Sequence, residues 1–192
     1  ISNEVLNTSY DFMARIVIPA GLSFYTFQSL SYTIDVYRND IIPERNPFRF
    51  ALFVSFFPQL VAGPVERFQN LMPQFYKEHK LKIDTLASAV KLTIWGFFKK
   101  LVIADRVAQF VDPVFANVEN YSAGTFLVVG FFFAVQVYCD FSGYTDIATG
   151  VARMLGYELS LNWRRPLLAT SLHSFWKRHH ITMTSWFRDY LY

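Results

Sequence analysis

The sequence is poor in charged residues and contains a single cysteine. Asp, Glu, Lys and Arg make up 17% of its 192 residues, against about 25% in an average soluble domain. One cysteine, Cys139, excludes an internal disulfide and a cysteine-based zinc site within the chain. The net charge is only +3 and the basic residues form no single run, so no nucleic-acid partner is expected.

Motifs of common soluble enzymes are also missing. The sequence has no glycine-rich phosphate loop, no metal-ligand spacing and no Gly-x-Ser-x-Gly turn, which excludes the usual nucleotide-dependent and serine-hydrolase sites. We predict no metal and no bound cofactor. The chain starts at Ile1 without a signal-peptide pattern and stops at Tyr192 inside a patterned segment. We therefore expect a piece of a longer protein, truncated at both ends.

Hydrophobic and aromatic residues are abundant instead. They make up 53% and 19% of the chain, with 21 Phe, 11 Tyr and 4 Trp, a composition that suits lipid and the membrane–water interface. Apolar segments at about residues 12–36, 48–65, 86–110 and 125–139 predict an all-α polytopic membrane protein with three to four transmembrane helices. The mean hydropathy is a modest +0.21, so we also expect re-entrant and interfacial helices around a central cavity.

The first two segments are interrupted by polar residues, proline and glycine. Pro19 and Gly21 predict a bend in the first segment, and its Ser, Thr and Gln side chains predict packing among other helices. Pro58 and the pair Gly63 and Pro64 break the second segment, which favours a re-entrant or half-crossing element at least as strongly as a full helix.

The loops differ in basic charge. If all four segments cross, the polar loop at 66–84 shares a side with everything after Asp140. That side has more Lys and Arg than the loops at 38–47 and 105–124, so we expect it to be cytoplasmic.

Asp140 and Asp146 follow the most hydrophobic segment, before a shorter predicted helix at 147–155 that ends at Gly156. Carboxylates there are costly unless they are paired or face water, so both are functional candidates. The candidate partners are Arg153, Arg164 and Arg165. A structural ion pair between two helices explains the carboxylates equally well.

The last segment, 171–192, contains both aromatic and charged side chains. Projected as one helix, it has an aromatic stripe of Phe175, Trp176, His179, Met183, Trp186 and Tyr190, and a polar face of Arg178, Thr182, Ser185, Arg188 and Asp189. Such a helix suits an interface or a cavity rim. On a third edge, His180 is a candidate acid or base because an imidazole titrates near pH ~6.5. A hydrogen bond to a neighbouring helix is the plainer alternative.

Three stretches match, in order, the motifs of one family of membrane enzymes. They run from Pro19 to Pro64, with Phe-Phe-Pro-Gln-Leu-Val-Ala-Gly-Pro at the end; from Tyr138 to Gly156, beginning Tyr-Cys-Asp-Phe-Ser-Gly-Tyr-Thr-Asp; and from Asn162 to Tyr192, including Asn-Trp-Arg-Arg-Pro and Phe-Trp-Lys-Arg-His-His. Together they resemble the membrane-bound O-acyltransferase family, specifically its bacterial alginate O-acetyltransferase branch.

The resemblance implies a multi-pass enzyme of the bacterial inner membrane. It would transfer an acetyl or other acyl group from a cytoplasmic thioester donor to hydroxyls of an extracytoplasmic polysaccharide such as alginate. The implied partners are membrane lipid, the acyl donor, periplasmic or extracellular relay proteins and the polysaccharide. A transporter or channel and a non-catalytic scaffold are the alternatives, although the sequence lacks the internal repeat common in transporters.

The resemblance also implies roles for particular residues. His180 matches the first motif histidine, in a supporting catalytic role, and His179 stands where Trp is expected. Asp140, Asp146, Arg178, Arg188 and Asp189 would line or brace the cavity and substrate path. The family's main catalytic histidine, in a Trp-His-Gly setting, would lie beyond Tyr192, so we expect these 192 residues alone to be inactive.

Overall fold

The computed structural model describes residues 21–61, 63–80 and 82–192, and over these residues the regular secondary structure is entirely helical. The described residues form eight α-helices: α1 (Leu22–Tyr37), α2 (Pro47–Val54), α3 (Phe68–Phe75), α4 (Ile83–Phe97), α5 (Asp105–Ala116), α6 (Ala123–Met154), α7 (Leu172–Trp176) and α8 (Ile181–Tyr190). A π-helical segment, Phe98–Ala104, joins α4 to α5, and short 3₁₀ turns lie at Phe57–Gln59, Val118–Asn120 and Pro166–Leu168.

Helix α1 turns polar side chains towards the protein. Gln28, Ser31 and Asp35 are all buried, and the Gln28 side-chain amide donates to the Phe53 carbonyl oxygen at 3.0 Å. The Tyr190 hydroxyl donates to Asp35 at 2.7 Å. The predicted packing of polar side chains among other helices is thus confirmed for Gln28 and Ser31, whereas Ser23, Thr26 and Thr33 are exposed. The bend predicted at Pro19 lies outside the described residues.

The second apolar segment is broken, as its prolines predict. Asn46 caps α2 by accepting from the Phe48 N–H at 2.9 Å, with Pro47 in the first turn. The helix ends at Val54, after eight residues, which is too short to cross ~30 Å of hydrocarbon. Its depth in a membrane stays a prediction.

Helix α3 lies inside the 66–84 region, where the sequence predicted a loop. Its buried Phe68, Leu71 and Met72 join Phe53 and Phe56 in the main hydrophobic core. The spacing i, i+3, i+4 gives this short helix one apolar face. Its polar residues face outwards, and because they make the region polar on average, composition alone does not indicate the helix.

Helix α6 is continuous over 32 residues and ends as predicted at Gly156, which has a φ of 90°. The separate helix predicted at 147–155 is wrong, because the chain stays helical through Asp140 and Asp146. Their charges are paired with lysines of the neighbouring helix, so no break is needed to bring them to water.

Helix α6 is the one helix among the described residues that is long and apolar enough to cross a membrane. Only 11% of its most apolar 18-residue stretch is buried. A core helix of a soluble protein would be mostly buried, whereas the apolar surface of α6 is left open by the residues described here.

The last segment is two helices rather than one. Residues 177–180 form a turn between α7 and α8, and the backbone of this turn bonds to residues 162–164: the Arg164 N–H donates to the Arg178 oxygen and the Ile181 N–H donates to the Asn162 oxygen, both at 2.9 Å. The predicted single aromatic stripe is therefore wrong, since the turn rotates its two halves apart.

Candidate functional site

His180 occupies a strained position at the start of α8. Its φ of 44° and ψ of 56° place it in the left-handed region, which is uncommon for residues other than glycine and is found at functional sites. Its Nδ1 lies 3.0 Å from the side-chain oxygen of Asn162. The turn thus points this imidazole towards the 162–164 segment rather than along a helix face.

Asn162 connects three parts of the chain. It is buried, with 1% of its surface exposed. Besides facing His180, its Oδ1 accepts from the Thr182 N–H at 3.3 Å and from the Thr182 hydroxyl at 2.9 Å. The same hydroxyl accepts from the Val65 N–H at 3.0 Å. This network ties the broken second segment to the start of α8.

Aromatic rings surround the His180 imidazole. Phe141 of α6 meets it edge-on at 4.7 Å between centroids, while Trp163 and Phe24 stack at 6.1 and 6.3 Å. Burial, with a smaller contribution from the charge of His179, lowers the pKa of His180 to about 4. The imidazole is therefore neutral near pH 7 and able to accept a proton.

One cavity is lined by this imidazole, and a second lies on the far side of Trp163. His180 itself lines a cavity of about 810 Å³, together with Met183, Phe187 and Arg188. Trp163, which packs on His179 and His180, also lines a larger cavity of about 1100 Å³. Both volumes are large enough for a substrate of the size of a cofactor.

The larger cavity is cationic. It is lined by five basic side chains, Lys99, Arg164, Arg165, Lys177 and Arg178, and by one carboxylate, Asp146. Lys99 pairs with Asp146 at 2.7 Å, whereas the other four form no ion pair with any residue that the structure describes. Such an excess of one charge sign favours an anionic ligand.

The structure separates the predicted site residues into four places. Asp146 and Arg178 line the larger cavity, and Arg188 shares the smaller one with His180. Asp189 lies in another cleft, where it pairs with Arg67 at 3.0 Å. Asp140 is exposed and pairs with Lys100 at 2.7 Å. Their roles in catalysis or substrate passage stay predictions.

The predicted arginine partners of Asp140 and Asp146 are wrong. Lys100 and Lys99 hold these carboxylates, and Arg153 pairs instead with Glu158 at 2.8 Å. The two lysines are adjacent in sequence, and they lie in the π-helical segment, a feature frequent at functional sites.

Several residues of the site were not identified from the sequence. Asn162 and Trp163 belong to the Asn-Trp-Arg-Arg-Pro motif, but nothing in their spacing indicates contact with His180. Glu66 is buried and accepts hydrogen bonds from the Ser160 N–H and, at 2.9 Å, from the Ser160 hydroxyl. Burial raises the pKa of Glu66 to about 6. The sequence signal that could have identified Glu66 is its position as a carboxylate just after the break at Gly63 and Pro64.

Over the described residues, the fold and site define an all-helical protein with one long, exposed apolar helix and a half-buried imidazole packed on a tryptophan that lines a cationic cavity. The chain belongs to the membrane-bound O-acyltransferase family, whose model matches residues 40–192. It is accordingly a membrane protein.

Three relatives illustrate the range of the similarity. The chain is 42% identical over 181 residues to the probable alginate O-acetylase AlgI of Pseudomonas aeruginosa, covering 94% of this chain and 34% of that protein. It is 34% identical to the peptidoglycan O-acetyltransferase of Helicobacter pylori, over 93% of this chain and 39% of the relative. It is 27% identical to the teichoic acid D-alanyltransferase of Bacillus subtilis, over 90% and 44%. The chain thus spans about a third of the length of the first of these relatives.

Proposed function

We propose that the protein containing this chain is a multi-pass O-acyltransferase of the bacterial inner membrane. It transfers an acetyl or other acyl group from a cytoplasmic thioester donor to hydroxyls of an extracytoplasmic polysaccharide such as alginate, together with extracytoplasmic relay proteins. The observation that supports this most is the neutral, half-buried His180, packed on the Trp163 that lines a cationic cavity, in a chain 42% identical to a probable alginate O-acetylase.

The chemistry needs a base and a place for the donor. As the acceptor hydroxyl attacks the thioester carbonyl, its proton passes to a base, the new C–O bond forms, and the C–S bond breaks to release a thiol that takes up the proton. His180 supports this transfer, and a second histidine outside residues 1–192 serves as the main base. Donors at the developing oxyanion would stabilise the tetrahedral intermediate.

The larger cavity is the proposed donor site. Four of its basic residues have no ion-pair partner among the described residues and suit an anionic donor: Arg164, Arg165, Lys177 and Arg178. Its rings, Trp95 and Trp163, suit an apolar or planar part of the same molecule. Trp163 packs against His180 at 6.1 Å between ring centroids, so one indole ring separates a donor bound there from the imidazole.

Substitution of His180 in the full-length protein tests this function. His180→Ala should lower polysaccharide O-acylation by roughly 10²- to 10⁴-fold, the usual contribution of acid–base catalysis, at unchanged abundance in the membrane. His173→Ala is the matched control, because His173 is exposed on α7, and it should retain full activity. Unchanged acylation in His180→Ala would contradict the proposal and favour a non-catalytic scaffold.

A further inference from the structure

The hydrogen bonds around Asn162 identify which of its atoms faces His180. The backbone N–H of Thr182 can only donate, and it lies 3.3 Å from the Asn162 atom in question. An amide nitrogen at that position would bring two donors together. The facing atom is therefore the carbonyl oxygen, which only accepts.

The Thr182 hydroxyl leads to the same assignment. It accepts from the Val65 N–H at 3.0 Å, so its own hydrogen is free to point at Asn162 Oδ1, 2.9 Å away. Three groups thus converge on one oxygen that cannot donate. The third is His180 Nδ1 at 3.0 Å, which must carry the hydrogen of that contact.

From this geometry we infer that Asn162 is a positioning residue, which holds His180 as the tautomer protonated on Nδ1 and leaves Nε2 as the proton acceptor. The inference rests on the proposed acyl transfer. Nε2 makes no hydrogen bond to a described residue, and the ring lines the cavity of about 810 Å³. A fixed tautomer and orientation lets His180 accept a hydrogen bond or a proton at Nε2 in its supporting role beside the main base.

The Asn162 amide nitrogen does not position His180. It is buried and has no hydrogen-bond partner among the residues described. The link between this loop and the His180 turn does not need the side chain either, because the Asn162 backbone oxygen accepts from the Ile181 N–H. What the side chain supplies to His180 is therefore one oxygen, which aspartate would also supply.

Few charges act on His180 from the elements packed against it. Phe24, Phe141 and Trp163 are uncharged, and His179 is the titratable neighbour whose charge affects it. Arg188 lines the same cavity. A carboxylate at position 162 would be the negative charge in direct contact with the ring, and it would favour the imidazolium form.

Two variants of the full-length protein test the inference in membrane vesicles supplied with acetyl coenzyme A, from about pH 4 to 8. Asn162→Asp keeps the acceptor and the shape, and because it raises the pKa of the imidazole, the acidic limb of the acetyl-transfer rate should move up by about one pH unit or more. Asn162→Ala removes the acceptor and should lower the rate about tenfold or more across the whole range.

A role for Asn162 in packing alone predicts no change in the pH profile. An active Asn162→Asp enzyme with the wild-type profile, an Asn162→Asp enzyme inactive at every pH, or wild-type rates in Asn162→Ala would each overturn the inference. His180→Ala separates the two proposals. If it retains acyl transfer, the catalytic role of His180 fails. If it abolishes transfer while the Asn162 variants behave like wild type, only the positioning role fails.

Discussion

Two Lys–Asp pairs of equal length join α6 to the π-helical segment, and they differ in burial. Lys99 and Asp146 are 2.7 Å apart, with 9% and 23% of their side chains exposed. Lys100 and Asp140 are also 2.7 Å apart, but 41% and 52% exposed. Lys99 additionally donates to the Ser142 hydroxyl at 2.9 Å. A charge left alone in a buried pair is far more costly than one left alone near water.

Removing each carboxylate in turn measures that difference. Asp146→Asn should destabilise the full-length protein by about 3–5 kcal/mol, because it leaves the Lys99 charge buried and unpaired. Asp140→Asn should cost at most about 1 kcal/mol. Thermal unfolding in detergent, monitored by the loss of soluble protein, ranks the two variants by their midpoints, and Asp146→Asn should show the larger drop. Equal destabilisation by the two variants would show that burial does not distinguish the pairs.

For single residues, the sequence predicted which residue types matter better than it predicted which side chains they contact. His180 was identified through the resemblance, and the need of Asp140 and Asp146 for cations follows from electrostatics alone. Asn162, Lys99 and Lys100 were not identified as partners, because each contact joins segments that are distant in sequence. The left-handed turn at His180 is likewise set by hydrogen bonds to residues 162–164, and no local preference of histidine indicates it.

Among the helices, α4 and α6 approach so closely that their glycines face one another. A Cβ on Gly96 would lie 2.6 Å from the Gly143 carbonyl oxygen and 2.9 Å from the Ile147 nitrogen. Both atoms are backbone and cannot move aside cheaply. Small residues at such crossings allow close packing in membrane proteins, and here the crossing immediately precedes the segment that holds Lys99 and Lys100.

Gly96→Ala should therefore push the two helices apart. We expect a loss of about 1–3 kcal/mol, as for other overpacked sites, together with reduced acyl transfer because Lys99 and the wall of the larger cavity shift. Gly130→Ala is the matched control, since a Cβ there meets nothing within 4 Å. The thermal midpoints of both variants, measured side by side, decide the matter; a similar midpoint for the two would refute close packing at Gly96.

Element boundaries show where periodicity alone succeeds. The apolar segments and the C-cap glycine at Gly156 were predictable, since they depend on hydrophobicity and backbone conformation. The continuity of α6 was not predictable, because charged residues such as Asp140 and Asp146 after an apolar segment usually indicate a loop, and the sequence does not show that they are paired. The break between α7 and α8 was missed for the opposite reason: residues 177–180 have no proline or glycine, and tertiary hydrogen bonds end the helix instead.

For the molecule as a whole, the described residues contain one helix that meets the length and hydropathy of a membrane span, where three to four were predicted. Charged residues explain part of the difference between the predicted and the observed number of candidate spans. The continuous helical run from α4 to α5 is long enough to cross, but it includes Lys99, Lys100, Asp105 and Arg106. Lys99 and Lys100 are neutralised by carboxylates, which reduces the cost of placing them at depth. The multi-pass topology stays a prediction.

Whether α6 spans a membrane can be tested directly. Phe131 lies in the middle of its apolar stretch and is 68% exposed, so an arginine there would face hydrocarbon. In an assay that measures insertion of the α6 segment from a host membrane protein, Phe131→Arg should cost about 3–4 kcal/mol, because it adds the cost of Arg and loses the favourable contribution of Phe. Gly124→Arg, at the exposed start of the helix, should cost much less because its side chain can reach the interface. Equal costs at the two positions would mean that α6 does not span the bilayer in this register, since only a spanning helix gives arginine a cost that depends on its depth.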